Sequence, residues 1–357
     1  MNKVYYARAR EADGTDSLAK KTIKILEGIP AVSSIKNNDI IGIKTHFGEK
    51  GNKGHIRPDI IKHVAAFLKK KSRRVFVFDT NTLYAGSRSN SVEHIELAYS
   101  HNFGFSEIGI PVIIADGLTG RNFAAVSVPG KHLKSVKIAA DITNCDFLLC
   151  LSHMTGHMQA GFGAAIKNLG MGCASRAGKL EQHSNVLPSV TPDKCRACGA
   201  CVKWCPAGAI KIEGPRAVIS RRKCIGCGEC TVVCKNGAIE IKWNEGIRGL
   251  QEKMAEYALG AVRAVGCDRV CFVNFLTHIT KDCDCMSKDE PAICEDAGIT
   301  ASTDPVALDK ASVDIIKEAN KKDIFKIGYP EIDWSPQIKH GEAVGLGKTA
   351  YELEDVE

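Results

Sequence analysis

Apolar and polar positions alternate over Val4 to Arg8 and then recur every three or four residues from Leu18 to Ile29, a pattern that predicts a strand followed by an amphipathic helix. Asp39 to Phe47 reads as a buried strand and Pro58 to Lys70 as a helix, with Pro58 at the opening position that proline suits. Arg74 to Asp79, with Val-Phe-Val-Phe at its centre, predicts the next strand; Ser91 to Asn102 predicts a helix, and Val112 to Ala115 and Asp146 to Ser152 predict further strands. Strands that alternate with helices imply an α/β fold built on a mostly parallel sheet covered on both faces.

The pattern breaks at Pro188, where a cysteine-dense stretch begins and runs to about Trp243. It then resumes with a helix from Gly246 to Val265, a strand from Arg269 to Phe275 and a helix opening at Pro305. The last third has too few strands for a sheet of its own. The expected layout is therefore one α/β domain in two parts, residues 1–188 and 245–357, interrupted by an inserted small α+β module at residues 189–244.

Composition narrows the class. The chain has 357 residues, 44% hydrophobic and 25% charged, enough for one sizeable core and a small second unit. No run approaches the roughly 18 apolar residues of a membrane span. Met1 to Arg10 lacks the apolar core of an export signal, so a cytoplasmic protein without a membrane association is expected. The formal charge of +7 is spread over scattered lysines with no nucleic-acid motif, so no nucleic-acid partner is expected.

Sixteen cysteines change the picture. Cys195, Cys198, Cys201 and Cys205 form a C-x2-C-x2-C-x3-C run followed by Pro206, and Cys224, Cys227, Cys230 and Cys234 repeat it with Lys235 in place of the proline. This doubled spacing is that of bacterial-type ferredoxins, in which three thiolates wrap one [4Fe-4S] cluster and the fourth reaches the other. Cys195, Cys198, Cys201 and Cys234 are thus expected to hold one cluster, and Cys224, Cys227, Cys230 and Cys205 the second. The fourth cysteine of each run is expected on the following helix. A zinc ribbon is the bland alternative. Two oxidised clusters with their thiolates would add about −4, bringing the chain to about +3.

Three further stretches are Lys44 to Glu49 (KTHFGE) with Gly51-Asn52 and His55 to Pro58, Gly163 to Gly172 (GAAIKNLGMG), and Ser302 to Ala307 with Asp309. In this order they resemble the domain of unknown function 362 family, in the subset with an inserted two-cluster ferredoxin. The resemblance covers nearly the whole chain and implies a functional role for the first loop, though no settled reaction.

Lys44, His46, His55 and Arg57 lie in a glycine-bearing loop leading into a helix amino terminus, a setting that favours a small anionic ligand; a solvated basic loop is the alternative. His153, His157 and Lys167 flank a second glycine-rich turn, where the histidines are either ligands or packed polar residues. Gly161-Phe162-Gly163 lacks the third glycine of a dinucleotide fingerprint, and Gly347-Lys348-Thr349 lacks the leading glycine of a phosphate loop. Asp304-Pro305 reads as a helix cap, with Asp309 left free to face the ligand loops. Cys283 and Cys285, in a polar loop, are expected as a metal or third cluster site, a redox pair, or two free thiols. Cys294, Cys173, His278, His153 and His157 are the available co-ligands. Cys145, Cys150, Cys267 and Cys271 read as buried packing residues.

Three functions are open, one of them a non-catalytic assembly subunit. In the first, the chain is an electron-transfer protein whose two clusters take single electrons from a redox partner protein, as suits anaerobic metabolism. In the alternative, it is an oxidoreductase whose clusters feed a metal or anionic-substrate site in the α/β domain.

Overall fold

The computed structural model describes residues 2–184, 187–241 and 244–356. The expected border of the cysteine-rich stretch near Trp243 lies outside the described residues.

Eight strands form the central sheet: β1 (Asn2–Arg8), β2 (Ile40–Lys44), β3 (Arg74–Asp79), β4 (Val112–Ile114), β5 (Phe147–His153), β6 (Val270–Leu276), β7 (Gly298–Ser302) and β8 (Tyr351–Asp355). Their order is β8-β1-β7-β6-β5-β2-β3-β4. Only β7 runs against its neighbours, so the protein is mixed α/β with a mostly parallel sheet, and strands from both sides of the cysteine-rich stretch share it.

The principal helices are α1 (Thr15–Glu27), α2 (Pro58–Lys69), α3 (Ser91–Ser100), α4 (Ala165–Gly172), α5 (Arg176–His183), α6 (Ala200–Trp204), α7 (Glu229–Val233), α8 (Ile247–Val265) and α9 (Pro305–Asn320). Along β5, Phe147, Leu149 and Leu151 pack into the core under α1 and α2, while Leu148 and Cys150 pack under α4, α8 and α9. This period of two explains why the strand reads as unbroken apolar sequence: both faces are buried.

β7 and β8 are the sheet strands that the hydrophobic pattern does not announce. In β7 the polar Thr300 and Ser302 are buried because Ser312 Oγ and the Lys3 carbonyl satisfy their hydroxyls. β8 is a polar edge strand. Asp304 caps α9 as its Asp-Pro spacing implies, accepting from Val306 N at 2.8 Å and Ala307 N at 2.9 Å. Asp309 does not face the ligand loops. Its carboxylate accepts from Ala165 N and Ile166 N, both at 2.9 Å, and so caps α4 from a neighbouring helix.

The cysteine-rich unit repeats itself. Each run bends through a left-handed position (Ala197 or Gly226), enters a five-residue helix (α6 or α7) after a left-handed glycine (Gly199 or Gly228), and turns again at Gly208 or Gly237. The third cysteine of each run lies on that helix. The fourth lies just past its end, a correction to the sequence reading: the helix starts early, at the glycine, and five residues exhaust it.

Arg176 joins the two units. It is fully buried, donates to the Thr82 carbonyl at 3.0 Å and to Glu229 Oε1 at 3.0 Å, and contacts the carbonyls of Thr119 and Ser89. Arg121 Nε lies 3.2 Å from the same Glu229 oxygen. Removing one partner of a buried pair leaves an uncompensated charge. Glu229→Ala is expected to lower unfolding free energy by about 3–5 kcal/mol, measured by denaturant titration, and to speed proteolysis within residues 187–241.

Candidate functional site

β2 leads through α2 to β3 on one side, while β5 lies on the other side of β2. The connections leave in opposite directions there, and a crevice opens at the carboxyl ends of the strands. It is a cavity of about 180 Å³ walled by the segments after β2, β3, β5 and β6 together with α4 and α5.

Lys44 ends β2 and is 1% exposed. Its Nζ donates to Asn168 Oδ1 at 2.7 Å and to the Thr45 carbonyl at 3.0 Å, and pairs with Asp79 Oδ1 at 3.1 Å. A Cβ at position 172 would collide with this side chain, so Gly172 is a clearance for the lysine. Gly163 gives Lys167 the same room. The glycine-rich second stretch thus admits two lysines into the crevice.

Asp79 ends β3. Burial disfavours its charge, yet Lys44 and Arg88 outweigh that and hold the carboxyl below the ordinary range. Arg88 donates to Glu49 Oε2 at 3.0 Å and sits 2.8 Å from His46 Nε2, while Gly48 N donates to His46 Nδ1 at 2.9 Å. Burial first, and then Arg88, keep His46 neutral. Lys179 Nζ donates to three neutral oxygens, those of Thr80, Asn81 and Ala174, and burial lowers its pKa to about 8.

On the opposite wall, Lys167 Nζ lies 2.9 Å from Cys283 Sγ. A hydrogen bond from the Cys285 thiol, reinforced by Lys167 against the effect of burial, holds the Cys283 thiol below its ordinary pKa. Cys285 moves the other way, well above the ordinary thiol, because it keeps the shared proton. Between them Asp284 meets His153: His153 Nδ1 is 2.8 Å from Asp284 Oδ2, and its Nε2 is 2.9 Å from the Thr277 carbonyl. Burial opposes the charge on His153, but Asp284 and that carbonyl prevail, raising its pKa. His157 accepts from Gln159 N and Ala160 N at Nδ1, and burial keeps it neutral.

Lys44, His46, His153, His157, Lys167, Cys283 and Cys285 are therefore brought together. His55 and Arg57 are not. His55 stacks on His101 with centroids 4.7 Å apart and Arg57 is exposed; with Lys53 they line hollows outside the crevice. Of the other co-ligand candidates, Cys173 is buried in the core, Cys294 lines a different hollow and His278 is exposed. Cys145, Cys150 and Cys271 are buried as expected, whereas Cys267 is exposed, because Gly266 ends α8 and turns the chain outward. Asp79, Arg88 and Lys179 escaped the sequence reading. The charge ending the Val-Phe-Val-Phe strand was the available signal for Asp79; nothing local marks the other two.

Four ion pairs in and beside the crevice nearly cancel: Lys44 with Asp79, Lys167 with Cys283, His153 with Asp284 and Arg88 with Glu49. Lys179 adds positive charge. Thr45 Oγ1, Asp79 Oδ2 and Asp284 Oδ1 are buried without hydrogen-bond partners among the described residues. Together these features favour a small anion that also carries hydroxyl or amine donors.

In the cysteine-rich unit, Cys195, Cys198, Cys201 and Cys234 line one small hollow, and Cys205, Cys224, Cys227 and Cys230 a second. Ala209 N and Ala238 N donate to Cys205 Sγ and Cys234 Sγ at the same offset, both at 3.2 Å, and Ala217 N to Cys195 Sγ at 3.3 Å. Among the described residues no three His, Cys, Asp or Glu side chains converge as a single-ion site, and no helix is long and apolar enough to cross a membrane.

The fold and crevice define an α/β protein with a buried, charge-lined crevice at the carboxyl edge of parallel strands. The chain belongs to the family Domain of unknown function (DUF362), whose model matches residues 41–314. The search of curated proteins returned no match. Similar solved structures include the lactate racemase apoprotein from Thermoanaerobacterium thermosaccharolyticum, with TM-score 0.43 and 11% identity over 85% of this chain and 55% of that one. A Thermotoga maritima protein solved by structural genomics gives TM-score 0.42 and 10% identity over 87% of this chain and 59% of that one. The chain spans under two thirds of the length of either structure.

The buried neutral histidines make the fold acid-sensitive. Burial lowers the His55 pKa to about 4 from an ordinary 6.5. The unfolded chain therefore binds the proton first, so this contribution to stability is present above pH 6.5 and is lost as the pH falls toward 4. His55→Gln is expected to flatten the stability-against-pH curve in that window by up to about 1.4 kcal/mol per pH unit, measured by urea unfolding of both proteins at matched pH.

Proposed function

We propose that the chain is an iron-sulfur oxidoreductase: two [4Fe-4S] clusters in the cysteine-rich unit exchange electrons with the crevice of the α/β domain, where a small anionic substrate binds. The single observation that carries the reading is the partition of eight thiols into two four-thiol hollows, each completed by the last cysteine of the other run. That crossed set matches the chemistry of two-cluster ferredoxins, as do the backbone N–H groups turned to the sulfurs. Cys195, Cys198, Cys201 and Cys234 would hold one cluster, and Cys205, Cys224, Cys227 and Cys230 the other. When bound, the clusters supply and accept single electrons.

A specific contact favours an internal electron destination over a pure carrier. Gly228, in the second hollow, lies against Leu83, which also lines the crevice, and Thr231 Oγ1 sits 3.4 Å from the Leu83 carbonyl. The first hollow has an exposed cysteine, Cys198, and the unit carries exposed Arg196, Lys203, Arg221, Arg222 and Lys223. An acidic redox partner protein docking there would deliver the electrons. Thiolate ligation of this kind suits a reducing, oxygen-poor cytoplasm.

Protein purified under argon is expected to hold about eight irons per chain. Cys227→Ala and Cys234→Ala should each lower that number by about four, and the two variants should retain different electron paramagnetic resonance signals on reduction. A folded, colourless protein that takes up no iron on reconstitution with iron and sulfide would sink the reading. Calorimetry with small carboxylates and phosphates checks the crevice: binding weakened by Lys179→Met supports an anionic substrate.

A further inference from the structure

We infer that Cys283 and Cys285 form a dithiol that cycles to a disulfide within the crevice, oxidised by a small anionic disulfide substrate and restored by electrons from the cysteine-rich unit. The electron source rests on the function proposed above; the dithiol itself does not.

The geometry of the loop carries the inference. Met286 N donates to the Cys283 carbonyl at 2.9 Å, closing a turn over residues 283–286. In such a turn, residues two apart lie within the roughly 4.4–6.8 Å Cα separation that a disulfide spans. Cys285 N also donates to Cys283 Sγ at 3.4 Å, so the Cys283 sulfur is folded back over Cys285. Asp284 is held from outside the pair, its carbonyl accepting from Glu49 N at 3.1 Å and its side chain bound by His153. Both cysteines line the crevice.

The partner of Cys283 decides among metal, disulfide and inert thiols. Lys167 puts an ammonium 2.9 Å from the sulfur, where it stabilises a thiolate and opposes a metal cation. The asymmetry of the pair, one thiolate and one thiol, is that of an attacking and a resolving cysteine. Lys179 and the Asp79 and Asp284 oxygens that accept no hydrogen bond among the described residues then favour an anion bearing hydrogen-bond donors.

The steps balance. The Cys283 thiolate attacks one sulfur of R–S–S–R′; the S–S bond breaks and R′S⁻ leaves, taking the proton of Cys285. The Cys285 thiolate attacks Cys283 Sγ, the mixed disulfide breaks, and RS⁻ leaves and is protonated by solvent. Two electrons, delivered singly, and one further proton return the Cys283–Cys285 disulfide to thiolate and thiol. Overall, one disulfide, two electrons and two protons give two thiols. The pair thereby converts one-electron delivery into two-electron chemistry. Its entry point is the Leu83–Tyr84 segment, which touches Gly228 on one side and lines the crevice on the other.

The test follows the cysteines directly. Trypsin releases residues 282–288, whose cysteines are Cys283 and Cys285 alone. Pre-reduced, anaerobic holoprotein treated with glutathione disulfide and alkylated should yield this peptide unlabelled and lighter by two hydrogens. The neutral hydroxyethyl disulfide should act several-fold more slowly; the reverse order would overturn the anionic substrate class. A peptide that stays dithiol, or iron lost in the Cys283→Ser Cys285→Ser variant, would overturn the dithiol. Photoreduction should restore the thiols several-fold more slowly in Cys227→Ala than in the parent, and equal rates would overturn the electron route alone. In Lys167→Met, iodoacetamide labelling of Cys283 should climb about tenfold per pH unit between pH 6 and 8, where the parent is flat; identical profiles would remove Lys167 from the mechanism. Iron analysis on the same samples reports independently on the clusters.

Discussion

A lysine with almost no exposure, at the end of a central strand, is the constraint around which the rest of this molecule is arranged. Burying the Lys44 ammonium is costly unless it is paired and hydrogen-bonded. Asp79 at the end of the neighbouring strand and Asn168 from α4 supply those partners. Gly172 supplies the space. Asn168 in turn donates to the Leu151 carbonyl and Ser152 Oγ, tying the end of β5 to the same network. Parallel strands end at a common edge, so one buried charge there recruits the ends of several others.

The same logic builds the facing wall. Lys167 is brought in on the first turn of α4 and is balanced by Cys283, while His153 is balanced by Asp284. α4 therefore carries both the carboxamide that holds Lys44 and the ammonium that holds Cys283. Its own amino terminus is capped by Asp309 from α9. A rigid helix, fixed at its start by a buried carboxylate, sets the distance between the two walls.

The second buried pair, Arg176 with Glu229, seats the cysteine-rich unit against this edge. It lies beside Leu83, where the unit meets the crevice wall. An ion pair of this kind contributes less to net stability than to a single defined docking, since any other placement would strand a charge.

Much of the framework was legible in the chain itself. The buried strands β2, β3, β5 and β6 announced themselves through apolar runs, and the helices between them through a 3.6-residue period, because local burial on both faces leaves a local signature. The doubled cysteine spacing likewise lies in one stretch of chain, and the fold divides its eight thiols between two hollows. β7 was silent, since its hydroxyls are satisfied by residues far along the sequence. The site was legible only in part. Sequence singled out Lys44, His46, His153, His157, Lys167, Cys283 and Cys285, but grouped His55 and Arg57 with them; stacking on His101 and an outward turn take those two elsewhere. Arg88, Lys179 and the capping role of Asp309 came from the tertiary structure alone. Each has a partner 39 to 144 residues away (Glu49, Thr80 and Ala165), a separation that no local pattern encodes, and the balance of charge in a buried crevice is set only when those segments meet.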